Sequence, residues 1–134
     1  MKSTQQLLHQ IRSREADDAS FLRDADYACP PAAIYMCALL AEREISVKDA
    51  IRALGLDRTY GYQLFNGTRR PTRNVLIRLA ALLELDLAGT NRLLQIGGKQ
   101  PLYPRVREDA AAIFAIEKRL PLDRLDALLE GRYG

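Results

Sequence analysis

Apolar residues recur along this chain at intervals of three and four, and no segment alternates convincingly with period two. This spacing predicts helices throughout, separated by turns rich in Pro and Gly. The predicted fold class is therefore all-α. The predicted helices start, in chain order, near Ser3–Thr4, Pro30–Pro31, Ser46, Asp57, Pro71–Thr72, Leu87, Val106 and Pro121.

Apolar stripes predict which side of each helix faces inward. The fifth helix should bury Val75, Leu76, Leu79, Leu82 and Leu83. The long seventh helix should bury Val106, Ala110, Ile113, Phe114 and Leu120. The last helix should use Leu122, Leu125, Leu128 and Leu129.

A length of 134 residues suits one compact domain with small appendages. We expect an N-terminal helical extension over 1–30, a central helical domain over 31–97 and a C-terminal helical pair over 98–134. That pair either packs on the central domain or forms a dimer surface.

Composition excludes several classes of protein. No apolar run approaches the roughly 18 residues of a membrane span, and the N-terminus lacks the apolar core of a signal peptide. We therefore expect a cytoplasmic protein. Cys29 and Cys37 have no Cys or His nearby, which predicts reduced structural thiols rather than a zinc site. No enzyme signature is evident, since His9 has no acid–base partner and "GGK" at 97–99 lacks the spacing of a phosphate loop, so we expect no cofactor and no metal.

Positive charge is concentrated in one window. Residues 58–83 contain five arginines and no acid, namely Arg58, Arg69, Arg70, Arg73 and Arg78. Acids and bases are nearly balanced elsewhere, and Arg105 and Arg107 beside Glu108 and Asp109 predict surface ion pairs. Such a window is typical of nucleic-acid binding or of a solvated basic face.

The segment from Ile45 to Thr72, "ISVKDAIRALGLDRTYGYQLFNGTRRPT", contains a helix, a tight glycine turn and a second helix. It resembles the helix-turn-helix of the lambda-repressor-like (XRE-type) DNA-binding family. The similarity lies in the Ile45–Ser46 start, the turn at Gly55, the cap at Asp57, the anchor Leu64 and the basic loop ending at Pro71. It covers Ala33 to about Leu94 and implies a lambda-repressor-like helical domain.

The resemblance implies a recognition helix over 57–66 that enters the major groove of double-stranded DNA. Base-reading residues would be Arg58, Thr59, Tyr62 and Gln63, with arginine suited to guanine and glutamine to adenine. Phosphate contacts would come from Asn66, Thr68, Arg69, Arg70 and Arg73. Plainer interpretations remain open: Arg58 could pair with a carboxylate, Gln63 could face solvent, Tyr60 could pack in the core and the arginine loop could serve solubility.

Two positions depart from the family pattern. Gly61 stands where the family usually has Val or Ile, and Ile51 stands where it usually has a small partner on the preceding helix. We therefore expect Ile51 to fill the space above Gly61, in a volume-conserving exchange. Val47 stands where the family often has a glutamine that braces a phosphate, so one backbone contact is missing.

The expected function is non-enzymatic, sequence-specific DNA binding by a transcriptional regulator, with a homodimer on a two-fold operator. The alternative is an adaptor or antitoxin-like protein that uses its N- or C-terminal helices to contact a protein partner. Fold alone does not decide between them.

Overall fold

The computed structural model describes residues 3–17 and 31–131. These residues form eight α-helices and no strand, which confirms the all-α prediction. The helices are α1 Thr4–Arg12, α2 Pro31–Glu42, α3 Val47–Leu54, α4 Arg58–Asn66, α5 Arg73–Leu82, α6 Leu87–Ile96, α7 Arg107–Glu117 and α8 Leu122–Leu129.

Side-chain caps fix where the central helices begin. Ser46, Asp57, Thr72 and Asp86 each accept a hydrogen bond from the backbone N–H of the residue three further along. These bonds satisfy amide groups that have no partner inside the helix. Ser46 and Asp57 were predicted as caps, and both predictions are confirmed.

One buried apolar cluster contains residues from every helix between α2 and α8, including these two. Helix α5 contributes most to it, with Leu76, Leu79 and Ala80 fully buried. The C-terminal helices add Ala112, Ala115, Ile116 and Leu125 to the same cluster. Helices α7 and α8 therefore pack on the rest of the molecule and help to close its core.

The buried face of α7 differs from the predicted one. It consists of Asp109, Ala112, Ala115 and Ile116. The predicted stripe was wrong for Val106, Ala110 and Phe114, which are exposed, and α7 ends at Glu117, before Leu120. The apolar residues of α7 lie on several sides of the helix, so their periodicity alone did not identify the inward face. The ion pair of the buried Asp109 identifies it.

That ion pair joins α7 to the start of α5. The guanidinium of Arg73 donates from Nη1 to Oδ1 of Asp109 at 2.5 Å and from Nη2 to Oδ2 at 2.8 Å. Asp109 is only 3% exposed and also accepts the Tyr103 N–H at 2.9 Å. The prediction of a surface ion pair for Asp109 was therefore wrong. The hydrogen bond from Arg73 holds the pKa of Asp109 below its usual value, against the opposing effect of burial.

A second arginine of the basic window is also an internal tie. Arg78 donates from Nε to Oδ1 of Asp126 at 2.8 Å and from Nη1 to the carbonyl of Leu54 at 2.8 Å. Leu54 is the last residue of α3 and Asp126 lies in α8. One side chain on α5 thus connects α3 and α8.

Several sequence predictions fall outside the described residues, including those on Cys29, Pro30 and positions 18–30 of the predicted N-terminal helical extension. Cys37 donates a hydrogen bond from Sγ to the Phe65 carbonyl at 3.3 Å. Helix α1 begins at Thr4, where a helix start was predicted, is capped by Ser3 and has no buried residue. None of the described helices is long and apolar enough to cross a membrane.

We expect Asp109→Asn to lower the free energy of unfolding at pH 7 by roughly 1–3 kcal/mol, because Arg73 loses its charged acceptor. A depressed folded-state pKa gives a stabilisation that is present above about pH 4 and is lost as pH falls through the folded-state value. The gap between parent and variant should therefore narrow at lower pH in chemical denaturation. Asp123→Asn, on the exposed side of α8, is the matched control, and an equal loss in both variants would contradict this role for Asp109.

Candidate nucleic-acid interface

The turn between α3 and α4 is closed by backbone hydrogen bonds around Gly55. Gly55 has φ 66°, a left-handed conformation that glycine adopts without steric cost. Its N–H donates to the Arg52 carbonyl at 3.0 Å, and the Leu56 N–H donates to the Ile51 carbonyl at 3.1 Å. These bonds end α3 and let α4 begin after only three residues, Gly55 to Asp57.

The two helices touch at Ile51 and Gly61, the contact predicted from the sequence. A Cβ placed on Gly61 would lie 2.7 Å from both Cγ1 and Cγ2 of Ile51. Both residues are buried. The side chain of Ile51 therefore occupies the space that any larger residue at 61 would need, and the α4 backbone approaches α3 closely.

Helix α4 has a buried side and an exposed side. Gly61, Leu64 and Phe65 face the core, so the predicted anchor Leu64 is buried. The predicted base-reading residues Arg58, Thr59 and Tyr62 are exposed, whereas Gln63 is half-buried. Tyr60 packs against the edge of the core, in agreement with the plainer interpretation of that residue.

Two arginines stack on the tyrosines of this helix. Arg58 Cζ lies 6.0 Å from the centroid of the Tyr62 ring, and Arg69 Cζ lies 5.8 Å from that of Tyr60. Such cation–π contacts restrict long side chains at a solvent-exposed surface. The guanidinium groups are thus partly ordered on α4.

Gln63 is oriented by Arg69. The Nε of Arg69 donates to Oε1 of Gln63 at 2.8 Å. Arginine only donates, so the contacting amide atom must be the oxygen. The amide NH₂ of Gln63 is then the group directed to other acceptors, while one lone pair of its oxygen is already used.

The loop after α4 exposes most of the predicted phosphate-binding residues. Asn66, Thr68, Arg69 and Arg70 are exposed, and Asn66 Oδ1 accepts the Thr68 N–H at 2.9 Å. Arg73 is different. Its guanidinium donates to Asp109 and to the carbonyls of Gln100 and Pro101, so its donors face inward rather than toward a phosphate.

The basic window is therefore divided by role. Arg73 and Arg78 are paired with acids inside the molecule. Arg58, Arg69 and Arg70 have no carboxylate within ion-pair distance among residues 3–17 and 31–131. Within the part of the chain that the structure describes, these three arginines of the window have no acid partner at the surface of α4 and its loop.

Two open depressions flank α4. One, of about 350 Å³, lies between α3 and α4 and is lined by Lys48, Ile51, Arg52, Leu56, Arg58 and Tyr62. The other, of about 190 Å³, lies beyond the end of α4, where Arg69 and Arg70 meet the start of α2 and the end of α6. Sequence reasoning missed Lys48 and Arg52. Their signal was two bases four residues apart on α3, the helix that precedes α4.

Comparison with protein-family models, curated proteins and solved structures finds no match to this chain.

Exchanging the partners at the α3–α4 contact should show strong coupling. We expect Gly61→Val alone to overpack the site and lower stability by roughly 1–3 kcal/mol, and Ile51→Ala alone to cost about 2–5 kcal/mol. The double variant should lose clearly less than the sum, because the new Val fills the space left by Ile51. Thermal or urea unfolding of all four proteins measures the coupling.

The control cycle combines Ile51→Ala with Ala53→Val, a substitution at an exposed position of α3. It introduces the same β-branched residue without facing the contact, so its effects should add. Additivity in the Gly61 cycle as well would show that the two side chains do not share one space.

Proposed function

We propose that this chain is a cytoplasmic, non-enzymatic regulator that binds double-stranded DNA in a sequence-specific manner. The proposal follows the lambda-repressor-like family that Ile45–Thr72 resembles, with helix 57–66 in the major groove. One observation carries it: a capped helix presents Arg58, Thr59 and Tyr62 outward and is followed by a loop with two exposed arginines. These are the residue types and positions that base and phosphate contacts require.

The dimensions of α4 agree with this use. Nine residues at about 1.5 Å each give a helix of roughly 13 Å, close to the approximately 12 Å width of the major groove. The side chains near its N-terminus would meet base edges, and the arginines past its C-terminus would meet the phosphates of one strand. Arg58 suits a bidentate contact to guanine, and Gln63 would offer its NH₂ to a base acceptor.

Binding as a homodimer is part of the proposal, because two-fold operators are read by two-fold proteins. The support comes from α7 and the loop before it. Tyr103, Val106 and Phe114 are 54%, 42% and 49% exposed. Val106, Ala110 and Phe114 are spaced by four and share one face of the helix. A second copy would cover this face.

The same observation favours the second candidate, a protein-interaction adaptor or antitoxin-like module. Exposed apolar residues on α7, together with Leu8 and Ile11 on α1, would suit a protein partner. In that case α4 would keep its shape without selecting a DNA sequence. In vitro selection of bound DNA at physiological salt separates the two, since an enriched palindrome supports the regulator and no enrichment supports the adaptor.

Substitutions on α4 and its loop should separate sequence preference from affinity. We expect Arg58→Ala to relax base preference at one operator position, and Gln63→Ala to do so at another, at a cost of about 1–3 kcal/mol per lost base contact. Arg70→Ala should weaken binding to all sequences equally. Arg69→Ala should weaken binding to all sequences and also relax the base preference of Gln63, because Arg69 orients Gln63.

These effects are measured by titrating each protein with operator and scrambled DNA at several salt concentrations. Binding should weaken steeply between about 50 and 200 mM salt, as phosphate contacts release counterions. Parent-like binding by all four variants would contradict the assignment of these residues.

Charging the exposed face of α7 should prevent dimerisation. We expect Phe114→Asp to convert the dimer to a monomer in sedimentation equilibrium and to weaken operator binding. The variant should remain folded, with a cooperative thermal unfolding transition. Leu8→Asp on α1 is the matched control for an exposed apolar residue. A monomeric parent, or dissociation caused by Leu8→Asp instead, would contradict the role of α7.

A further inference from the structure

The depression between α3 and α4 combines cations, a phenol and an apolar floor. Lys48 and Arg52 are four residues apart on α3, and Arg58 and Tyr62 are four residues apart on α4, so each pair lies on one side of its helix. The two pairs line the same depression, with Ile51 and Leu56 between them. Three positive groups thus line a hollow of about 350 Å³, ample for a phosphate group.

In the described part of the chain, no acid lies within ion-pair distance of these three cations. Across the described residues 3–17 and 31–131, the recorded ion pairs belong to Arg43, Arg73 and Arg78, and none involves Lys48, Arg52 or Arg58. Asp57, the residue immediately before α4, accepts the Tyr60 N–H as a helix cap at 3.1 Å. Arg73 and Arg78 of the basic window are each paired with an acid, whereas Lys48, Arg52 and Arg58 remain available to an external anion.

We infer that this depression, which we name the α3–α4 groove (Lys48, Ile51, Arg52, Leu56, Arg58 and Tyr62), holds a backbone phosphate of the bound DNA. The inference rests on the proposed function and extends it. Lys48 and Arg52 join the phosphate-contacting set, and Arg73 leaves it. A deoxyribose edge packs on Ile51 and Leu56. Tyr62 moves from the base-reading set to the phosphate-contacting set, and its hydroxyl donates to a phosphate oxygen.

The position of the groove explains how α4 is held across the DNA. The groove flanks the N-terminal half of α4, while Arg69 and Arg70 lie past its C-terminal end. A helix about as long as the major groove is wide has one phosphate strand near each end. The α3–α4 groove binds one strand and the arginine loop binds the other, so the register of α4 is fixed from both sides.

The test is the salt dependence of binding by the full chain carrying Lys48→Gln and Arg52→Gln. Both side chains are exposed, and glutamine is a good helix former, so folding should be unchanged. Each lost phosphate contact reduces the slope of log K against log salt by about 0.9. The ratio of affinities at 50 and 200 mM salt should therefore shrink by about tenfold relative to the parent. Discrimination between selected and scrambled DNA should stay the same, because no base contact is removed.

Arg92→Gln with Lys118→Gln is the matched control, since both residues are exposed, lie outside α3 and α4, and change the net charge equally. Its slope should remain parental. Equal reductions in both double variants would show a general effect of net charge and would overturn the phosphate site. A parental slope for the Lys48/Arg52 variant, with Arg58→Ala and Arg70→Ala still impaired, would overturn the site and leave the proposed function intact. If the parent protein binds no DNA, both the phosphate site and the proposed function are contradicted.

Discussion

The close contact of α3 with α4 at Ile51 and Gly61 is the constraint on which both sides of the candidate interface depend. A glycine inside a helix costs about 0.8–1 kcal/mol relative to alanine, so it needs a compensating role. Here the absent side chain lets Ile51 lie directly against the α4 backbone. That close approach places Lys48 and Arg52 of α3 beside Arg58. Leu64 and Phe65, on the other side of α4, face the core. A wider separation of the helices would open the α3–α4 groove and detach Lys48 and Arg52 from it.

Arginine serves two distinct purposes in this chain. Arg78 donates to the Leu54 carbonyl at the end of α3, and Arg43 donates to the Leu83 carbonyl at the end of α5 at 3.0 Å. Carbonyls at helix ends lack partners within the helix, so these side chains satisfy groups that burial would otherwise penalise. Arg73 connects α5 to α7 through Asp109. Counting charges in the sequence overstates the positive charge left at the surface, because two arginines of the basic window, Arg73 and Arg78, are paired with acids of the fold.

Local chemistry was predictable from the sequence, and long-range partners were not. The ends of α3 and α4 follow from Ser46, Gly55 and Asp57, whose effects act within a few residues. The Ile51–Gly61 contact was predicted because, relative to the family pattern, the residue at 51 is larger and the residue at 61 is smaller. The pairing of Arg73 with Asp109 spans 36 positions and depends on how α5 and α7 cross, which no local pattern contains. The hydrogen bond from Arg69 to Gln63 was not predicted either. It forms because the chain reverses at Gly67 and brings Arg69 back beside α4.

Helix α7 buries small apolar residues and exposes its largest one. Its alanines at 112 and 115 are buried, whereas Phe114, the largest side chain of the helix, is about half exposed. Burying a phenylalanine fully contributes about 1.5–3 kcal/mol, far more than burying an alanine, so a helix that served only its own core would be expected to turn the other way. The ion pair at Asp109 holds α7 in the observed orientation, and the small alanines allow it to lie close to α5 and α6. The bulky residues are thereby kept at the surface.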